Sequence, residues 1–147
     1  MQLRDLIGSM PVTVAQVTPR TRMPEAAAEM ARQKITAILV GDGLDLSGIL
    51  TCADVIHWFV YDHASPMREV GSVISTRVLR VPAGRTVDEA IAGMTTDDIE
   101  HLAVVEGDHV IGLMHLKDLL KEQARLFSAE IEHLHDYIST LHTASRD

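Results

Sequence analysis

The spacing of apolar residues changes along the chain, and each change predicts the start of a new strand or helix. Residues 12–17, "VTVAQV", alternate and predict a strand. "MPEAAAEMARQK" is Ala-rich, with Pro24 near its first turn, and predicts a helix. "ITAILV", the turn "GDG" and "LSGIL" predict a β-hairpin, and "TCADVIHWFVYD" predicts a second helix.

The same order of patterns returns 64 positions later. "RVLRV", "TVDEAIAGMT", "HLAVV", "EGDH", "VIGLMH" and "LKDLLKEQ" repeat it without a gap. Identical residues fall at equivalent helix, turn and strand positions of the two copies: Glu25 and Glu89, Ala26 and Ala90, Met30 and Met94, Val40 and Val104, Gly43 and Gly107, Gly48 and Gly112, Asp54 and Asp118. The chain is therefore predicted to contain two β-α-β-β-α units.

A unit of about 60 residues buries too little apolar surface to be very stable by itself. We therefore expect an α/β (α+β) fold in which the two units pack sheet to sheet as one pseudo-symmetric module. The expected boundaries are residues 1–64 for the first repeat, 65–122 for the second and 120–147 for a C-terminal helical extension.

A short motif closes each unit, "GILTCADV" at 48–55 and "GLMHLKDL" at 112–119. In one interpretation, Thr51 and Asp54 form a capping box at the start of a helix. In the other, the strand end and helix N-terminus bind an anion while the carboxylate holds ribose hydroxyls. His115 replaces Thr51 in the second copy, and because an imidazole is a poor N-cap, capping alone does not account for that copy.

The duplicated unit, the hairpins "VGDG" and "VVEGD", and the ending Gly-x-x-(Ser/Thr)-x-x-Asp resemble a tandem pair of CBS domains, a Bateman module, over roughly residues 1–122. The resemblance implies two clefts between the repeats that bind adenine-containing ligands such as AMP, ATP, NAD or S-adenosylmethionine. It implies a regulatory role in signal transduction, and no required cofactor is expected.

Carried onto this chain, the family pattern places Asp54 and Asp118 at ribose and Thr51 at phosphate. Ile49 and Leu113 are implied to line adenine slots. Residues near the strand starts are expected to line the clefts as well: Thr13, Ile35, Thr36, Arg77 and His101.

The two clefts are expected to differ. One combines Asp54 and Thr51 with Glu100 and Arg77, and the other combines Asp118 and His115 with Thr36 and His101. A carboxylate near phosphate is unfavourable unless it is paired, and few Lys or Arg residues fall near either cleft. A ligand with little phosphate charge is therefore favoured over ATP, and one cleft is a candidate for being empty.

The C-terminal segment carries a heptad seam, with Ala124, Ile131 and Ile138 at a and Leu120, Phe127, Leu134 and Leu141 at d. This pattern favours a parallel two-stranded coiled coil in a homodimer, with Glu130 facing His135 of the partner. The alternative is a stripe that packs on the chain's own surface, because three heptads are marginal alone. Any signalling output would come from a separate partner protein, unless the helix serves only in assembly.

Composition narrows the function further. The formal net charge is −8 without a basic block, which argues against nucleic-acid binding. The single cysteine, Cys52, and the absence of a signal peptide or a membrane-length apolar run predict a cytoplasmic protein. Cys52 is expected to be buried, and Trp58, Phe59 and Tyr61 to pack under the linker.

The eight histidines lack metal-ligand spacing, and no catalytic set is recognisable, so neither a metal site nor an enzyme is predicted. A scaffold whose clefts are filled by side chains remains the alternative to a ligand sensor.

Overall fold

The computed structural model describes residues 1–9 and 14–145, and they form two similar halves. The first half contains β1 (Gln16–Val17), α2 (Met23–Gln33), β2 (Ala37–Asp42), β3 (Asp45–Thr51) and α3 (Cys52–Tyr61). The second contains β4 (Leu79–Pro82), α4 (Val87–Asp97), β5 (His101–Glu106), β6 (His109–His115) and α5 (Leu116–Ser145). The predicted β-α-β-β-α order is confirmed in both.

Two elements were not predicted from the sequence. A short helix, α1 (Leu3–Ser9), precedes the first repeat, and a 3₁₀ turn (Val70–Ser72) lies between the repeats. The first strand is shorter than expected, at Gln16–Val17, while residues 10–13 lie outside the described part of the chain.

Each half forms a three-stranded sheet in which the first strand is parallel to the second and the second pairs antiparallel with the third. The register is also repeated, since Leu39 pairs with Ile49 and Ala103 with Leu113. The hairpin turns use Gly43 and Gly107 at φ of 59° and 61°, a left-handed conformation that glycine adopts without steric cost. The 64-residue repeat is thus a repeat of backbone geometry.

The equivalent helices start differently and end alike. Pro24 lies in the first turn of α2, whose N-cap Arg22 makes no side-chain cap bond, whereas Thr86 caps α4 by accepting a hydrogen bond from the N–H of Glu89 at 3.1 Å. Both helices end on a left-handed residue, Lys34 and Asp98, which again are 64 positions apart.

The two sheets meet through a small apolar cluster formed by Leu39, Ile49 and Ala103, all fully buried, with Leu113 packed against it. Larger cores lie on the helical side of each sheet. This arrangement confirms the expectation that two units, each too small to be stable alone, cover each other's apolar faces.

The segment before the first repeat packs on the second half, and the segment between the repeats packs on the first half. Leu3 and Leu6 of α1 are fully buried in the core of the second half, together with Val87 and Leu119. Val70 of the 3₁₀ turn is buried in the core of the first half. The predicted boundary at residue 64 stays a prediction, because the packing units exchange the segments that precede them.

Helix α5 continues far beyond the second half. Every described residue from Phe127 to Ala144 is exposed. The alternative in which the heptad seam packs on its own chain is therefore wrong. Within the described ranges, no helix combines the length and the apolarity that a membrane crossing requires.

Candidate ligand-binding site

The junction between β3 and α3 is satisfied by its own residues. The N–H of Asp54 donates to Thr51 Oγ1 at 3.3 Å, and the N–H of Thr51 donates to Asp54 Oδ2 at 2.9 Å. The Thr51 hydroxyl donates to the same carboxylate oxygen at 3.1 Å. The capping box predicted as one of two interpretations is confirmed. Asp54 is buried, and its carboxylate is engaged in this box.

The glycine of the first motif allows another segment of backbone to approach closely. A Cβ on Gly48 would lie 2.6 Å from the carbonyl oxygen of Thr76, and the φ of Gly48 is 152°. The N–H of Ile49 donates to this same carbonyl at 3.1 Å. The Ile49 side chain is fully buried between the sheets. Its implied role at an adenine slot stays a prediction.

The equivalent junction between β6 and α5 is built differently. His115 Nδ1 accepts a hydrogen bond from the N–H of Lys117 at 3.0 Å, so an imidazole caps this helix. Although histidine was expected to be a poor N-cap, His115 therefore does accept a hydrogen bond from the first turn of α5. An unprotonated Nδ1 places the ring proton of neutral His115 on Nε2. Asp118 lies in the first turn, partly exposed, and its carboxylate makes no hydrogen bond or ion pair with the described residues.

Three ionisable side chains meet beside this junction. The rings of His101 and His115 are 4.8 Å apart and meet edge to face, because these residues pair across β5 and β6. His115 Nε2 lies 3.6 Å from Glu100 Oε2. His101 Nδ1 is buried without a hydrogen-bond partner. Burial lowers the pKa of His101, the neighbouring His115 lowers it further, and Glu100 opposes both effects.

A groove of about 450 Å³ adjoins this cluster. Its volume falls in the range of roughly 300–1,000 Å³ that is typical of small-molecule sites. The groove is lined by residues of the junction and of the first two turns of α5: Glu100, His115, Leu116, Lys117, Leu120, Lys121 and Ala124. Lys117 and Lys121, one helical turn apart, both line this groove. The expectation of few cations near the clefts between the repeats stays a prediction.

A smaller cleft of about 250 Å³ brings Arg77 and Glu100 together, with Thr76 and Ile99 in its wall. It adjoins the first motif through the contact between Thr76 and Ile49. This supports the predicted grouping of Glu100 and Arg77. The Arg77 guanidinium is already engaged, because it donates to the carbonyl oxygen of Asp97 at 2.8 Å.

The other predicted residues are spread more widely. Ile35 lines an open groove between α2 and α3, and Thr36 is exposed with its carbonyl accepting the N–H of Cys52 at 3.1 Å. The predicted grouping of Thr36 with His115 across the repeats stays a prediction. Leu113 is partly buried against the cluster between the sheets. Thr13 lies outside the described residues.

Burial was expected for four side chains of α3, and the structure buries one of them. Trp58 is buried and its Nε1–H donates to the carbonyl of Ser65 at 3.0 Å, as predicted. Cys52 is exposed, and Phe59 and Tyr61 are 67% and 70% exposed. These three expectations are wrong, because the linker covers only the Trp58 side of the helix.

Sequence reasoning missed Lys117 and Lys121 as groove residues. Both lysines follow the motif histidine and are four positions apart, which places them on one face of the helix. This spacing could have been recognised from the sequence. Among the described residues, no group of three or more His, Cys, Asp or Glu side chains could hold a metal ion.

Comparison with known proteins agrees with this architecture. The inosine-5′-monophosphate dehydrogenase of Staphylococcus epidermidis strain RP62A is 31% identical over 120 residues, which are 80% of this chain and 24% of the enzyme. The chain thus spans about a quarter of the length of that relative.

Solved structures resemble nearly the whole chain. A putative signal-transduction protein with CBS domains from Burkholderia ambifaria MC40-6 matches with a TM-score of 0.65 and 30% identity, covering 83% of this chain and 93% of that one. The CBS domain pair of protein MJ0100, solved with 5′-methylthioadenosine and S-adenosyl-L-methionine, matches in fold with a TM-score of 0.63 and 19% identity, over 88% of this chain and 98% of that one.

The model of one family, the CBS domain, matches residues 3–61 and again residues 70–125. These two matches coincide with the two halves of the fold and together cover most of the chain. The chain belongs to the CBS domain family, as a tandem pair followed by a long helix.

Proposed function

We propose that the chain is a non-enzymatic sensor module that binds an adenine-containing nucleotide, AMP-like or NAD-like, at the junction of the second repeat. The observation that carries the proposal is the contrast between the two junctions. Asp54 is engaged in a capping box, whereas Asp118 and the buried His101 Nδ1 have no partner among the described residues. An unpaired buried polar atom is costly, so a ligand that bonds to it is stabilised there.

The chemistry of the second junction fits a nucleotide with few phosphates. The Asp118 carboxylate is suited to ribose hydroxyls. Lys117 and Lys121 at the rim of the groove offer positive charge to a phosphate, while Glu100 opposes a larger anion. The MJ0100 pair binds adenosine derivatives, which supports an adenine ligand for this fold.

The ligand state would reach a partner through α5. Leu120 and Ala124 line the groove and also begin the heptad seam. A ligand in the groove and a second helix on the seam therefore meet at the same turns. We infer a parallel homodimer through this seam, read by a separate signalling protein. A cytoplasmic location belongs to the proposal, since an exposed lone thiol suits a reducing compartment.

Thermal unfolding tests the proposal with AMP, ADP, ATP, NAD and S-adenosylmethionine. A ligand at 100 times its dissociation constant stabilises by roughly 2.7 kcal/mol. Asp118→Asn should abolish the ligand-induced rise in Tm. Asp54→Asn is the matched control, because an amide oxygen can still accept in the capping box, and it should keep most of the rise. An unchanged response in Asp118→Asn would place the ligand elsewhere, and ATP binding far more tightly than AMP would contradict the ligand class.

A scaffold that binds no nucleotide is the second candidate function. The first junction favours it, because Thr51 and Asp54 satisfy each other without a ligand and the carbonyl of Thr76 accepts the N–H of Ile49. No Tm shift with any of the five compounds would support this function over the sensor.

A further inference from the structure

The two repeats cap equivalent helices with side chains of different chemistry. At both junctions the first N–H of the helix donates to the carbonyl of the residue before the middle strand, at 3.1 Å in the first repeat and 2.8 Å in the second. The next bond differs, because the Thr51 hydroxyl accepts the N–H of Asp54, whereas His115 Nδ1 accepts the N–H of Lys117. A hydroxyl keeps this role near neutral pH, but an imidazole that binds a proton no longer has a free acceptor nitrogen. A change of pH therefore acts on the second cap and not on the first.

A proton on His115 is incompatible with its cap. An imidazolium donates from both nitrogens, so Nδ1–H would face the N–H of Lys117 across a distance of 3.0 Å. The positive charge would also lie at the N-terminus of α5, where the helix dipole favours anions. Protonation therefore turns the ring away from the first turn of α5 and leaves the N–H of Lys117 without its acceptor.

Glu100 provides a second position for the protonated ring. Its Oε2 lies 3.6 Å from His115 Nε2, which is too long for a hydrogen bond but close enough for attraction between opposite charges. The side chains of His115 and Glu100 are 40% and 70% exposed, so their movement does not disturb the core. Leu119, one turn into α5, is fully buried and holds the rest of the helix in place. The rearrangement is therefore confined to the first turn of α5.

His101 influences which ring takes the proton. Its ring is 4.8 Å from that of His115, and its Nδ1 is buried. Burial lowers the pKa of His101, and charge on His115 lowers it further, with Glu100 opposing both effects. The pair therefore takes up one proton before two, and His115, which faces the carboxylate, receives it. The other charged groups around the cluster are of both signs and largely offset each other: Lys117, Asp118 and Lys121 on α5, and Arg77 and Asp98, which share the smaller cleft with Glu100.

We propose that His115 is a proton-operated cap, which closes the first turn of α5 near neutral pH and moves to Glu100 on acidification, releasing the N–H of Lys117 at the 450 Å³ groove. The consequence for binding rests on the proposed function, because the same groove is the proposed nucleotide site. A free N–H at a helix start binds phosphate, and the imidazolium offsets the charge of Glu100. Acidification should therefore strengthen the binding of an anionic ligand.

Hydrogen exchange of backbone amides, followed by NMR, tests the cap without any ligand. Between about pH 7.5 and pH 5.5, after correction for the intrinsic exchange rate, we expect the protection of the Lys117 amide to fall at least about fivefold. The Asp54 amide is the matched control in the same molecule, and its protection should stay within about twofold. The ring ¹⁵N shifts of His115 should change from the Nε2–H tautomer to the imidazolium over the same range. A charged ring with unchanged protection of Lys117, or a ring that stays neutral, would overturn the proposal.

Two variants identify the groups that operate the cap. His115→Thr introduces the hydroxyl of the first repeat, so protection should move to the Asp118 amide and become independent of pH. Glu100→Gln removes the carboxylate that receives the ring, and the release of Lys117 should then shift by about half a pH unit or more towards acid. Circular dichroism at both pH values shows whether each variant is folded. A fall in protection at the first turn of α5 that persists in His115→Thr would assign the effect to another group and overturn the proposal.

AMP binding, measured by calorimetry, connects the cap with the proposed function. We expect the Kd of wild type to fall at least about threefold from about pH 7.5 to pH 5.5, relative to the change in His115→Thr. The comparison corrects for titration of the AMP phosphate, which is the same for both proteins. Equal changes in the two proteins would overturn the control of the site by the cap. Absence of AMP binding at either pH, with the expected exchange result, would reject the proposed nucleotide site and uphold the proton-operated cap.

Discussion

Single residues decide how the two junctions differ, and the first junction depends on Thr51. Thr51 caps α3 in both directions with Asp54, whereas Thr86 caps α4 through its hydroxyl alone. We expect Thr51→Ala to lower the free energy of unfolding by about 1–2 kcal/mol, because it also removes a hydroxyl donor from a buried carboxylate. Thr86→Ala should cost about 1 kcal/mol or less. Urea denaturation of both variants checks this, and a larger effect at Thr86 would contradict it.

His101 gives the fold a dependence on pH. Its pKa is lowered in the folded protein, chiefly by burial, from an ordinary value of 6.5. The unfolded chain then binds more protons than the folded chain below pH 6.5, so stability is present above that pH and is lost as the pH falls towards the folded pKa. We expect His101→Gln to flatten the fall in urea midpoint between about pH 7 and pH 5. His109→Gln, at an exposed hairpin position, should keep the wild-type slope, and equal slopes for both variants would exclude His101 as the cause.

At the scale of elements, α5 extends well beyond the part of the helix that packs on the rest of the chain. Its seam side chains from Phe127 to Leu141 are each more than half exposed, so packing within the chain does not account for them. We expect Leu134→Glu to raise the dimer Kd at least about a hundredfold, measured by sedimentation equilibrium, because it buries a charge at the centre of the coil.

The control for this change is Ser139→Glu, which adds the same charge at a b position outside the seam. The thermal midpoint of the two halves should move little in either variant, since both positions are exposed. A wild-type Kd in Leu134→Glu would mean that the seam serves a different partner.

The elements themselves were largely predictable, because each is set by local periodicity and repeated at a fixed offset. The hairpins with Gly43 and Gly107 and the helix after Pro24 needed no knowledge of tertiary contacts. The short helix α1 was missed, since Leu3 and Leu6 become buried only when the second half folds over them. The exposure of Phe59 was missed for the same reason, because the sequence pattern of a helix does not show which neighbours cover a side chain. The cap formed by His115 is local, between residues two apart, and was missed because imidazole is an uncommon N-cap.

At the scale of the whole molecule, the crossing of α1 and the 3₁₀ turn binds the two halves together. The N–H groups of Leu3 and Arg4 donate to the carbonyl oxygens of Arg85 and Ala83 at 2.9 and 3.0 Å. Helix α1 is therefore attached to the second half by backbone hydrogen bonds as well as by its apolar side chains. The core of the first half contains Val70, which belongs to the segment that leads into the second half. Neither half can lose its structure without releasing a segment that belongs to the other, so we expect the two to unfold in one transition.

The lone tryptophan makes this cooperativity measurable. Trp58 lies in the core of the first half, and Leu6 lies in the core of the second. Leu6→Ala removes a fully buried side chain and should cost about 2–5 kcal/mol. If the halves unfold together, the urea midpoint from Trp58 fluorescence falls as far as the midpoint from circular dichroism. Ile56→Ala, at an exposed position, should leave both midpoints nearly unchanged in a dilute monomer. A Trp58 midpoint that stays in place while the dichroism becomes biphasic would show that the halves unfold independently, and that α1 is only a local part of the second half.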